Sequence, residues 1–168
     1  MHARFRISCI ILVFFVFPAY AARENSTELY RQGETLARQG KYAEAADIFR
    51  KVTAVSPWYA LGHYGLGKTS LYLPGEMDDA IKELRTAVEL DPELARAYFY
   101  LGMAYYFSEK YMPAVHAFSE AYRLDPTMIE VLYNLGVLYD LMDKSYHSGK
   151  WFNRYIEARS RVGSKRPF

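Results

Sequence analysis

Cysteine is almost missing from this 168-residue chain, and its single copy, Cys9, lies in an amino-terminal stretch that reads as a removable leader. Arg4 and Arg6 precede an apolar run from Ile7 to Phe17. Pro18 and the small-x-small triplet Ala19-Tyr20-Ala21 follow, the pattern of a secretory signal peptide cut after Ala21. The run is about eleven residues, against roughly 20 for a membrane-spanning helix. Cleavage leaves a chain with no thiol, which excludes a disulfide, thiol catalysis and a cysteine metal site. An uncleaved leader would tether the domain to a membrane. Cys9 precedes the apolar run, the wrong side for a bacterial lipoprotein anchor. Charge of one sign is lacking too. The chain carries a net +2, and removing residues 1–21 takes away two arginines and no acid, leaving 19 basic against 19 acidic residues. A neutral domain lacks the basic footprint of a nucleic-acid binder. The expected location is outside the cytoplasm, in the bacterial periplasm. Asn25-Ser26-Thr27 fits a glycosylation sequon, which reads as chance with no other eukaryotic signal beside it.

What is present is a period. Gly33, Gly67, Gly102 and Gly136 stand 34, 35 and 34 residues apart. Twelve residues after three of them come Ala45, Ala114 and Ser148; after Gly67 the gap is thirteen, to Ala80. Phe49, Leu84, Phe118 and Phe152 follow, then Val52, Ala87, Ala121 and Tyr155, then Pro57, Pro92, Pro126 and Ser160. Small residues recur where two helices must approach closely, and large ones where the next unit must be filled. Within one copy, Tyr98, Leu101, Gly102 and Tyr105 keep helical spacing. Ala114, Phe118, Ala121 and Tyr122 form a second stripe after the turn Ser108-Glu109-Lys110. Asp125-Pro126 closes the unit, because proline disfavours helical geometry in the residue before it. Each unit is therefore a helical hairpin. The extra residue of the second copy falls within Leu71–Glu76, a turn punctuated by Pro74 and Gly75.

These residues resemble the tetratricopeptide repeat family over about residues 26 to 162. The third copy carries the family pattern nearly throughout, in Tyr98, Leu101, Gly102, Tyr105, Tyr111, Ala114, Phe118, Ala121 and Pro126. The other copies depart at Gln32, His63, Ser70, Ser148, Tyr155 and Ser160. The resemblance implies an all-α fold, a right-handed superhelical solenoid of about four helix-turn-helix hairpins preceded by a signal peptide. The expected layout is a leader at 1–21 and a repeat domain at 22–162. The repeats run at about 26–59, 60–94, 95–128 and 129–162, and a basic tail occupies 163–168.

In this family the first helices of the hairpins line a concave groove. Carried over, the groove would be lined by Tyr30 in the first copy and by Leu61, Tyr64, Lys68 and Tyr72 in the second. Arg96, Phe99, Met103, Tyr106 and Phe107 would follow in the third, and Tyr133, Val137 and Leu141 in the fourth. Glu34, Glu130 and Asp140 fall on the same side. One aromatic per copy recurs there, and none of these side chains is needed by the repeat core. Aromatics are rigid anchors for another chain. The resemblance implies a non-catalytic adaptor that binds a peptide segment of a partner protein, in bacterial envelope assembly or secretion. A self-associating structural subunit of an envelope complex is the alternative. The ring of Lys, Asn and Arg with which some relatives grip acidic chaperone tails is not repeated here.

One motif points elsewhere. Gly62 to Thr69 satisfies the phosphate-loop pattern G-x-x-x-x-G-K-[ST], the remote alternative of a nucleotide binder. That chemistry needs a strand and then a glycine loop, whereas Leu66-Gly67 here is the pair that recurs as Leu101-Gly102 and Leu135-Gly136. No nucleotide, metal or other cofactor is expected. His63, His116 and His147 come from three different copies; His63 is expected to pack, and the other two to face solvent. Trp151 lies off the stripe formed by Phe152, Tyr155 and Ile156, and is expected to pack against Tyr146 and close the stack. The last ten residues, Arg159 to Phe168, are basic and fit a solvated tail or a contact with anionic lipid or an acidic partner.

Overall fold

The structure, a computed structural model, describes residues 25–163. The expected leader and most of the basic tail lie outside them. Eight helices and no strand occur among the described residues. α1 covers 25–38, and it is followed by α2 (Tyr42–Val55), α3 (Ala60–Ser70), α4 (Met77–Leu90) and α5 (Ala95–Phe107). α6 (Tyr111–Leu124), α7 (Glu130–Leu141) and α8 (Ser145–Gly163) complete the chain order. From α2 to α8 each helix packs on the next, α3 also meets α5 directly, and α1 approaches α2 where Gly33 faces the Phe49 ring. The result is an all-α solenoid of helical hairpins whose first helices face one another along the inner side.

The hairpin turns share one geometry. After α1, α5 and α7, a residue in the left-handed region ends the helix: Gly40, Glu109 and Asp143, at φ 76°, 57° and 56°. Its N–H reaches back three residues, and the next N–H reaches back five, from Lys41 to the Leu36 carbonyl, Lys110 to Tyr105 and Lys144 to Tyr139, at 2.9–3.0 Å. This pair of hydrogen bonds satisfies carbonyls that a helix end leaves orphaned. The second hairpin departs from this because of its extra residue. α3 stops at Ser70, and the turn runs through Gly75 at φ 79° before α4 begins. Buried Ser70 donates to Glu76 Oε2 at 2.8 Å there, which explains a hydroxyl at a large-residue site.

The links between hairpins repeat as closely. Ser56, Asp91 and Asp125 each precede a proline and adopt φ near −135° with ψ of 80–91°, outside the helical region. The repeated glycines serve close approach. A Cβ on Gly102 would lie 2.8 Å from the Phe118 ring, and one on Gly136 would lie 2.7 Å from Phe152. The second helix of each of these hairpins therefore rests a phenylalanine ring on the glycine of the first. Burial of Phe49, Leu84 and Phe118 in successive hairpins forms a core that continues only through neighbours, as in solenoids generally.

The terminal helix corrects one expectation. Trp151 packs against the cluster that holds Ala114, Phe118 and Leu138, with the Arg154 guanidinium 5.0 Å above its ring. Tyr146, its expected partner, is 83% exposed and meets His147 edge-on. Helical phase decides this. Residue 146 is five positions before 151, so the two side chains leave α8 on different faces.

Candidate functional site

The inner face divides into a filled half and an open half. In the filled half Tyr64, an expected groove anchor, is only 5% exposed and belongs to the core beside Leu84 and Leu101. This corrects the expectation that the groove aromatics are dispensable for packing. Its ring tilts against Tyr100 at 5.8 Å. The Lys68 ammonium stands 5.7 Å from both ring centroids and 3.4 Å from Glu34 Oε1. A cation held between two aromatic faces and a carboxylate is attracted to all three. Tyr30 is also committed, tilted against Phe49 at 5.6 Å and edge-on to Tyr59 at 6.0 Å. Burial raises the hydroxyl pKa of Tyr30, Tyr64 and Tyr100, so these rings are neutral donors at ordinary pH. Leu61 packs partly buried against the same core.

Tyr72 sits at the edge of this face, within electrostatic reach of Tyr100 and Lys68. α3 ends before it, and its ring stacks on Tyr42 of α2 at 4.4 Å and 10°. The inserted turn residue is the cause, since the equivalent positions, Phe107 and Leu141, each end an intact helix. Arg96 is exposed at the start of α5. It acts electrostatically on Tyr30, Tyr64 and Tyr100, which places it over the filled half.

The open half lies between α5 and α7. Met103, Tyr106, Tyr133 and Val137 line a niche of about 170 Å³ with Phe118 and Asn134. Phe99 lies beneath, edge-on to Phe118 at 5.6 Å. Tyr133 is 49% exposed, with its ring braced by Phe152 and Tyr155 at 5.7 and 5.5 Å. Phe107, 55% exposed, meets Tyr106 edge-on at the rim, and Leu141 is half-exposed at the end of α7. Four of the expected residues therefore converge, with Phe107 and Leu141 beside them. Asn134 was not expected. Its signal was present, as the only side-chain amide in the apolar run from Val131 to Tyr139. Its Nδ2 meets only the Met103 sulfur, at 4.0 Å.

Catalytic geometry is absent from the stretch that suggested it. Gly62 to Thr69 is the interior of α3, with Gly62 and Gly67 buried and the Thr69 hydroxyl donating to the Gly65 carbonyl at 2.7 Å. Its backbone N–H groups run along a helix and cannot cradle a phosphate. No group of three or more His, Cys, Asp or Glu positioned for a metal occurs among the described residues. His63 packs as expected. Its Nδ1 lies 2.7 Å from Glu83 Oε2, and its Nε2 lies 2.8 Å from the Pro57 carbonyl. Both partners are acceptors, so only the imidazolium satisfies both. The bond to Glu83 raises the histidine's pKa against the opposing effect of burial. His116 and His147 are exposed. No described helix is long and apolar enough to cross a membrane.

Stacked helical hairpins around a side-chain-lined inner face define the class of α-helical repeat proteins. Tetratricopeptide repeat models match residues 29–57 and 95–128, and a TPR repeat model matches residues 69–107. The chain belongs to the tetratricopeptide repeat family. Anaphase-promoting complex subunit 6 of Arabidopsis thaliana is 31% identical over 116 residues, covering 69% of this chain and 21% of that protein. The chain spans between 12% and 29% of the length of the curated relatives it matches. Among solved structures, MamA residues 41 to the end from Desulfovibrio magneticus RS-1 is similar, with TM-score 0.74, 26% identity and 93% of each chain covered. The first TPR domain of Spaghetti (RPAP3), bound to the HSP90 peptide SRMEEVD, shares the fold with TM-score 0.68 and 22% identity, covering 71% of this chain and 94% of that one.

Proposed function

We propose that this chain is a non-catalytic scaffold of the bacterial envelope whose inner face holds an extended segment of a partner protein. The observation that carries the reading is the niche between α5 and α7, which the chain's own side chains leave unfilled while they fill the face between α1 and α3. Rigid aromatic walls lose little conformational freedom when they receive a ligand. Proteins of this family are in general adaptors, and a relative of this fold is bound to a peptide. Export is proposed from Arg4, Arg6 and the apolar run from Ile7 to Phe17.

A photo-crosslinking residue at Leu141, on the inner face, is expected to capture a partner in cells, and one at Glu89, on α4, is not. Val137→Arg should abolish that capture with helical circular dichroism unchanged. Equal capture from both positions, or capture that survives Val137→Arg, would refute the groove. Fractionation with intact-mass measurement tests export; a mature protein retaining residues 1–21 in the cytoplasm would refute it.

A second reading, self-association, is favoured by one observation. Ile156 is exposed on α8, which no further hairpin follows among the described residues. Sedimentation of the wild type and Ile156→Glu over a range of concentrations decides it. A monomer at every concentration excludes this reading.

A further inference from the structure

The charges around the niche select among partners. Positions 130, 133, 137 and 140 share one stripe of α7, so Glu130 and Asp140 stand on either side of the two niche residues Tyr133 and Val137. Both acids are exposed, and neither has a cation within ion-pair distance among the described residues. Asp140 accepts one long bond, from Ser148 Oγ at 3.5 Å. The other inner-face acid, Glu34, is already matched by Lys68. Across the niche α5 offers Met103, Tyr106 and Phe107, none of them charged. Arg96 holds in the third copy the place that Glu130 holds in the fourth; both act electrostatically on Tyr100, and the two form no ion pair.

The niche itself is uncharged, and its volume of about 170 Å³ suits one large apolar group; a cavity of about 150 Å³ accepts benzene. Asn134 presents an amide that meets only a thioether, at 4.0 Å, among the described residues, which leaves a donor and an acceptor to match a peptide unit.

We infer that the niche takes an extended protein segment that inserts one aromatic or large aliphatic side chain between α5 and α7 and carries basic residues on both sides of it. This rests on the groove reading above. Apolar burial supplies the attachment, and the paired charges supply the choice of partner. The Spaghetti domain's peptide SRMEEVD, with three acids, is of the opposite kind.

Three capped, fluorescently labelled peptides test this. Each has a central phenylalanine, with lysine, glutamine or glutamate two residues away on both sides. Glu130 and Asp140 are ten positions apart, roughly 15 Å along α7, and the two flanking residues, four positions apart on an extended segment, are separated by about 13 Å, a gap that long side chains close. Anisotropy titrations of the mature chain at low salt should rank lysine over glutamine over glutamate, with roughly tenfold between the first and last. The gap should shrink at 0.5 M salt. Glu130→Lys with Asp140→Lys should invert the order, while Asp78→Lys with Asp79→Lys on α4, an equal change in net charge, should preserve it. Equal binding of all three peptides, a preference for glutamate, or inversion by the α4 pair overturns the inference but leaves the groove standing. Failure of all three to bind overturns both.

Discussion

His63 should make the stability of this solenoid depend on pH in a stated direction. Its two ring nitrogens face Glu83 at 2.7 Å and the Pro57 carbonyl at 2.8 Å, joining α3, α4 and the link after α2. The pKa of His63 is raised in the folded chain, chiefly by the bond to Glu83. That contribution is fully present below the ordinary histidine pKa of about 6.5 and is lost as pH rises through the raised value. The pKa of Glu83 is lowered, chiefly by the same bond. Its share is present above the ordinary carboxylate range and is lost as pH falls through the lowered value. Stability from the pair should therefore be greatest between about pH 5 and 6.5. A hydrogen bond to a charged group contributes about 1.5–3 kcal/mol. Partial solvent access and the neighbouring Lys82, 3.6 Å from Glu83, reduce this to about 1 kcal/mol. The assay is urea denaturation at pH 6, 7.5 and 9, on the wild type and His63→Phe. The wild type should lose about 1 kcal/mol more than the variant between the lowest and highest pH. Parallel losses in the two proteins would refute the charged-histidine assignment, because His116 and His147 remain in both.

Two further substitutions test the packing argument. Gly102→Ala should destabilise by about 1–2 kcal/mol despite its better helix propensity, because the new Cβ would meet the buried Phe118 ring at 2.8 Å. Gly149→Ala, with nothing within 4 Å, should instead stabilise by up to about 1 kcal/mol, and thermal melting distinguishes the two signs. Glu109→Gly relieves a left-handed backbone at φ 57° and should raise stability by about 0.5–1 kcal/mol in the same assay. Asp143→Gly should gain less, since aspartate tolerates that region better than glutamate.

The hairpins were legible because their determinants are local. A proline after the second helix, a small residue where Phe118 must rest and a helical stripe on either side of a three-residue turn act within one copy. The site was legible only in part, because it depends on neighbouring copies. Tyr64 occupies the same place in its repeat as Tyr133, and the two have opposite fates. Tyr64 is covered by Tyr100 and Lys68, whereas Tyr133 has only α8 behind it and remains half-exposed. Position within the repeat is the same; the side chains supplied by the next copy differ. The stack of Tyr72 on Tyr42 was not legible because one inserted residue ends α3 early, which counting alone registers as an offset without its direction. Asn134 escaped because an amide among apolar residues gives no periodic signal.

The same nearest-neighbour logic limits where a bound segment can be felt. A niche walled by α5 and α7 spans the third and fourth hairpins and leaves the first untouched. Repeat stacks are stabilised by terms within each unit and between adjacent units, so binding free energy should stay near the interface that is bridged. At a ligand concentration of 100 times Kd the stabilisation is about 2.7 kcal/mol, or roughly 100-fold slower exchange for amides that open with that interface. Hydrogen exchange with the lysine-flanked phenylalanine peptide should therefore show protection across α5 to α7, weaker protection in α8, and none in α1 and α2. Uniform slowing over all eight helices would mean that the solenoid opens as one cooperative unit. Slowing confined to α1 to α3 would place the ligand over the Glu34–Lys68 pair instead, where Tyr64 and Tyr100 already occupy the face.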